Sequence, residues 1–123
     1  MKLEYLADGS LDCPLIRMYD FTPFEATQIK QKFESLASGQ IERIDLHNLP
    51  EISTVGGLKF SLRVLAFDQG IVCTDSNSFE CGFTRETWDN KAFLIEPFEK
   101  DIHGFQWLEG GEIKWLISPT GGW

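Results

Sequence analysis

Asp20-Phe21-Thr22-Pro23-Phe24-Glu25 is the clearest local signal in this chain. Thr22 suits an N-cap, Pro23 suits the first helical position, and Glu25 stands three residues after Thr22. This is a capping box with an N1 proline. The Thr22 hydroxyl accepts from one orphan backbone N–H, and the Glu25 carboxylate reaches back to another. Behind it Ala26, Ile29, Phe33, Leu36 and Ala37 recur at helical spacing, and Gly39 can supply a left-handed stop. The pattern predicts a helix over 23–38. Upstream, Leu15-Ile16-Arg17-Met18-Tyr19 reads as a strand with apolar residues on both faces. Residues 2–7 read as a short edge strand, and Cys13-Pro14 precedes the second strand.

After Gly39 the period changes to two. Ile44 and Leu46 alternate with Arg43, Asp45 and His47, which predicts a half-buried strand ended by Pro50. Gly56-Gly57 marks a turn. Leu58, Phe60, Leu62, Val64 and Ala66 then alternate with Lys59, Ser61 and Arg63, the best strand pattern in the chain. Leu65 and Phe67 interrupt it, so this strand's end is expected to be covered on both faces. Asp68-Gln69-Gly70 is a turn. Ile71-Val72-Cys73-Thr74 and Phe79-Glu80-Cys81-Gly82-Phe83 flank Asp75-Ser76-Asn77-Ser78, a hairpin with a loop of about three to five residues. If Thr74 pairs with Glu80, Cys73 faces Cys81 across the ladder.

Thr84 can cap a second helix over about 85–96. Glu86 sits favourably in its first turn, and Trp88, Ala92 and Ile95 share a face. Pro97 ends or kinks it. Glu96, Glu99 and Asp101 oppose the macrodipole at that end. Phe105–Glu109 and Glu112–Ile117 flank Gly110-Gly111, which reads as a C-terminal β-hairpin with a two-residue turn. Pairing Glu109 with Glu112 would place Trp107 opposite Lys114, within reach of a cation–π contact. The tail after Ser118 is irregular, and Trp123 is expected to fold back onto the sheet rather than enter another chain. The order predicts an α+β fold: a single two-layer domain over 1–123, with a twisted, mainly antiparallel sheet packed by two helices.

Composition narrows the function. The chain has 123 residues, is 42% hydrophobic and 24% charged, and so has the makeup of a packed domain rather than a disordered one. No run of eighteen apolar residues occurs, and no apolar leader follows Met1-Lys2. A cytoplasmic location is the expectation. The formal net charge is −8, spread as −3 over residues 1–62 and −5 over 63–123. Nucleic acid and anionic membranes need clustered cations, and the longest basic cluster is Lys30 with Lys32. Neither partner is expected. A basic protein partner is permitted by the charge but not implied by it, and the other candidate partner is a second copy, forming a homodimer through a sheet edge or the last hairpin.

The three cysteines Cys13, Cys73 and Cys81 are an odd number without a CxxC, and His47 and His103 lie far apart. Their spacing lacks the paired ligands of a zinc site, and reduced thiols are expected. Phosphate-loop, nucleophile-elbow and zincin motifs do not occur. No catalytic, cofactor-binding or metal-ligating residue is therefore assigned. A Cys–His pair drawn from Cys73 or Cys81 with His47 or His103, and an acid pair such as Glu96 with Glu99, have no local support. His47 reads as a solvent-facing or loop residue and His103 as a turn residue.

The leading reading is a small acidic, non-catalytic protein-interaction module, suggested by the charge and the aromatic-rich last hairpin. The alternative is a small-ligand-binding or enzymatic domain whose pocket lies between sheet and helices, with Cys73, Cys81 or a histidine supplying polar groups. The capping box is directly testable. Thr22→Ala is expected to cost about 1 kcal/mol, measured as a shift in the urea midpoint at unchanged slope.

Overall fold

The computed structural model describes residues 1–123. The elements are β1 (Lys2–Leu6), β2 (Leu15–Tyr19), α1 (Pro23–Ser38), β3 (Arg43–Asp45), β4 (Ser53–Thr54), β5 (Lys59–Val64), β6 (Gly70–Asp75), β7 (Ser78–Phe83), α2 (Arg85–Ile95), β8 (Gln106–Glu109) and β9 (Lys114–Ser118). Short 3-10 turns cover Leu46–Asn48 and Glu96–Glu99. This is a two-layer α+β domain in which two helices pack on mixed sheet, with a C-terminal β8–β9 hairpin.

Both helices begin where their caps predict. The Glu25 N–H donates to Thr22 Oγ1 at 3.2 Å, and the Thr22 N–H donates to Glu25 Oε1 at 3.0 Å. Glu25 also receives the Met1 amino group at 2.7 Å. Burial raises the Glu25 pKa, but that amino group and the Thr22 contacts outweigh burial and hold the carboxyl below its ordinary value. Gly39 closes α1 at φ 78°, a conformation that favours glycine. The last turn of α1 has no basic residue of its own. Arg85, the first residue of α2, donates to the Ala37 and Ser38 carbonyls at 2.9 and 2.6 Å instead. Thr84 caps α2 by accepting from the Thr87 N–H, while Asp68 accepts from the Thr84 N–H and the Thr87 hydroxyl. The acidic end of α2 is also accounted for. Glu99 accepts from Thr27 and Lys30 of α1, at 2.7 and 2.9 Å.

The strands form two sheets rather than one, ordered β4-β1-β2-β9-β8 and β3-β5-β7-β6. Four pairings are antiparallel, but β1–β4, β2–β9 and β5–β7 are parallel. β1 is not an edge strand, because β4 pairs with its outer side. The parallel β5–β7 pair arises because residues 65–69 cross over the end of β7 to reach β6 on its far side. The Leu65 and Gln69 N–H groups donate to Phe83 O and Gly82 O, both at 2.9 Å. The Leu65 side chain occupies the space a Cβ on residue 82 would need, so Gly82 is what lets the crossing lie flat. Leu65 is half-buried by that contact, but Ala66 and Phe67 are exposed, so the end of β5 is not covered on both faces.

Other registers differ from expectation. The strand at residue 43 is short, and His47 lies in the following 3-10 turn. In the β6–β7 hairpin Cys73 pairs with Phe79 and Ile71 with Cys81, so the two thiols do not face each other. Asp75 pairs with Ser78, which leaves a loop of only Ser76 and Asn77, and an irregularity between Cys73 and Asp75 resets the register. In the last hairpin Trp107 pairs with Leu116, not Lys114, and an irregularity follows between Trp107 and Glu109. The connection there is longer than Gly110-Gly111.

The interior is an aromatic knot. Trp115 of β9 meets Phe33 of α1 at 5.6 Å, Phe60 of β5 at 5.0 Å and Trp88 of α2 at 6.3 Å between ring centroids. Phe33 and Phe83 complete it against Trp88, at 5.1 and 4.9 Å. Trp88 donates its indole N–H to Arg63 O at 2.9 Å. The Trp115 indole N–H is buried without an acceptor. That costs about 1–3 kcal/mol. Burying roughly 200 Å² of indole contributes about 5 kcal/mol, so packing wins.

Candidate functional site

Every residue weighed for chemistry in the sequence has a defined place. Cys81 is buried on β7. Burial, with the Glu109 carboxylate adding to it, pushes its thiol pKa well up, away from reactivity. Cys73 is exposed near the end of β6 and donates to Asp75 O at 3.2 Å; Cys13 is half-buried next to Pro14. His47 accepts the Phe60 N–H on Nδ1 at 3.1 Å, so it is tied to the sheet rather than free in a loop. His103 is exposed and contacts the Asp101 carboxylate. Its hydrogen bond is the main influence holding Asp101 below the ordinary carboxylate range. Glu99 serves α1, as described above, and Glu96 lies 3.8 Å from Lys30. The acid pair is thus engaged in helix packing.

The space between sheets and helices is filled by the aromatic knot. The surface clefts lie elsewhere: at the helix pair, along α1, and on the outer face of the β3-β5-β7-β6 sheet. A pocket between sheet and helices, with Cys73, Cys81 or a histidine lining it, is therefore not the arrangement found. Cys81 sits in the solid core, and His47 opens onto the outer cleft.

The outer face of the larger sheet carries a cluster of three aromatic rings, Phe105, Trp107 and Trp123. Alternation along β9 sends Trp115 and Ile117 inward and Lys114, Leu116 and Ser118 outward. Leu116 and Leu15 are nevertheless fully buried, and the tail after Ser118 runs back over this face to reach Arg17 and Asp12. Arg17 anchors that tail by donating to Gly121 O at 2.8 Å. Trp123 ends against Trp107, with centroids 6.5 Å apart, and donates its indole N–H to Asp12 at 2.9 Å. Phe105 also meets Trp107, with centroids 6.2 Å apart. Trp123 therefore folds back, as its position suggests. Phe105 and Trp123 stay 45% and 39% exposed, and the neighbouring Leu11 is wholly exposed. Lys114 lies 5.9 Å from the Trp107 ring centroid and 3.2 Å from Asp12. The anticipated cation–π contact forms in a register the sequence does not reveal. The Lys114 hydrogen bond, followed by that of Trp123, holds Asp12 ionised below its ordinary range.

The aromatic content of the hairpin was legible in the sequence. Its partner group Asp12 was not, because it arrives from a loop about a hundred residues away in the chain. Comparison of the chain with family models, with curated proteins and with solved structures returns no match. No helix is long and apolar enough to cross a membrane.

The thiols provide a check on this arrangement. In native protein a thiol-specific reagent is expected to label Cys73 first, and Cys81 only after denaturant is added. Mass mapping of the labelled peptides reads the order. Labelling of Cys81 at the rate of Cys73 in native protein would contradict its burial.

Proposed function

We propose that residues 1–123 form a single, non-catalytic protein-interaction module that docks a basic partner protein on the surface of Phe105, Trp107 and Trp123. The carrying observation is that Phe105 and Trp123 stay exposed on either end of a contact chain through the half-buried Trp107. Exposed aromatics of this kind supply binding hot spots, and their faces attract Lys and Arg side chains. Lys114 over Trp107 is an internal instance of that contact. The net charge of −8 favours a cationic partner and steers its approach. The same charge disfavours a second copy of this chain, since two such copies repel. The odd count of three cysteines, with no CxxC among them, supports a reducing, cytoplasmic setting.

The test titrates a short peptide of arginines and apolar residues into the protein, with a charge-reversed peptide as control, followed by tryptophan fluorescence. Tight binding of the basic peptide alone is expected, and Phe105→Ala should weaken it about tenfold. Equal binding of both peptides, or no effect of Phe105→Ala, would remove the proposal. So would sedimentation equilibrium showing a dimer that Phe105→Ala dissociates, which would give the surface to a second copy.

A further inference from the structure

The smaller sheet turns a polar face outward. On β5, Phe60 and Leu62 are buried in the core, while Lys59, Ser61 and Arg63 alternate away from it. The ladder sets Asp45 of β3 and Glu80 of β7 on either side of Ser61, and Ser78 opposite Lys59. A cleft of about 240 Å³ opens on this face, and its lining includes Arg43, His47, Lys59, Ser61, Ser78 and Glu80. An opening of that size admits one small anion.

The two carboxylates beside the cleft, Asp45 and Glu80, each accept an arginine on one of their two oxygens. Asp45 Oδ1 accepts from Ser61 Oγ at 2.7 Å and from Arg43 Nε at 3.0 Å. The Ser61 bond, ahead of Arg43, keeps Asp45 ionised below its ordinary range. Glu80 Oε1 accepts from Arg63 at 2.8 Å. The donors are not used up. Lys59 is exposed, and no carboxylate pairs with its ammonium. Arg43 spends two of five N–H groups, on Asp45 and Ser61. His47 accepts the Phe60 N–H on Nδ1, so its neutral ring carries the proton on Nε2. Within an acidic protein, this cleft is a place where spare hydrogen-bond donors and an unmatched positive charge converge.

We infer that this cleft is a binding site for a small ligand bearing one oxyanion, a phosphoryl or carboxylate group, held by Lys59, Arg43 and His47. Charge-assisted hydrogen bonds to a compact anion are the strongest contacts these donors can make. The site is independent of the aromatic surface and lies on the other sheet.

The experiment follows amide chemical shifts as inorganic phosphate or acetate is added at constant ionic strength, with chloride as the control anion. Saturable shifts at His47, Ser61 and Ser78 are expected, and the tighter of the two anions identifies the group. Lys59→Gln should weaken that binding about tenfold. Lys2→Gln removes the same charge at a distance and should leave binding unchanged. Lys59 is exposed, so its variant keeps the wild-type spectrum elsewhere. An absence of saturable shifts at the cleft, or equal loss in Lys59→Gln and Lys2→Gln, would overturn the assignment.

Discussion

Trp115 is where the whole molecule meets. It belongs to the larger sheet, touches Phe60 of the smaller one, and packs against Phe33 and Trp88 of the two helices. Neither sheet is large enough to bury its inner face alone, so the two depend on the helices and on each other. Edge-to-face contacts among these rings add about 0.5–1.5 kcal/mol each to the burial they bring. The unmatched indole N–H of Trp115 shows how strongly packing dominates at this point. A filled interior leaves the clefts to the outside of the molecule.

Local physics made the helices legible. Thr22, Pro23 and Glu25 act within one turn, and Gly39 ends α1 by its own backbone freedom. Thr84 and the Trp88, Ala92, Ile95 face work the same way in α2. The supports that cross between elements were not legible. Arg85 caps a helix some fifty residues upstream, and Asp68 holds the start of α2 from a connecting loop. In each case the bond joins residues that no short window of sequence brings together.

The sheets divide along the same line. Strand positions follow from alternation, most clearly from Phe60 and Leu62 against Lys59, Ser61 and Arg63. Strand order does not, because parallel neighbours are joined by long excursions of chain. Gly82 was the available sign of the crossover, since a glycine within a strand often marks a close approach of other chain. The hairpin registers shifted at irregularities that composition does not encode, after Cys73 and after Trp107. The cleft lined by Arg43, His47 and Lys59 was hidden for the same reason: its residues come from separate segments and only the folded sheet gathers them.

The account of the interior rests on the two sheets behaving as one body. Native-state hydrogen exchange of Phe33→Leu tests that most directly, read at Ile16 and Met18 in one sheet and at Phe60 and Leu62 in the other. If the aromatic knot joins the sheets, protection falls by the same factor at all four amides. Loss confined to Phe60 and Leu62, with Ile16 and Met18 still protected as in the wild type, would show two sheets that open separately and would contradict it.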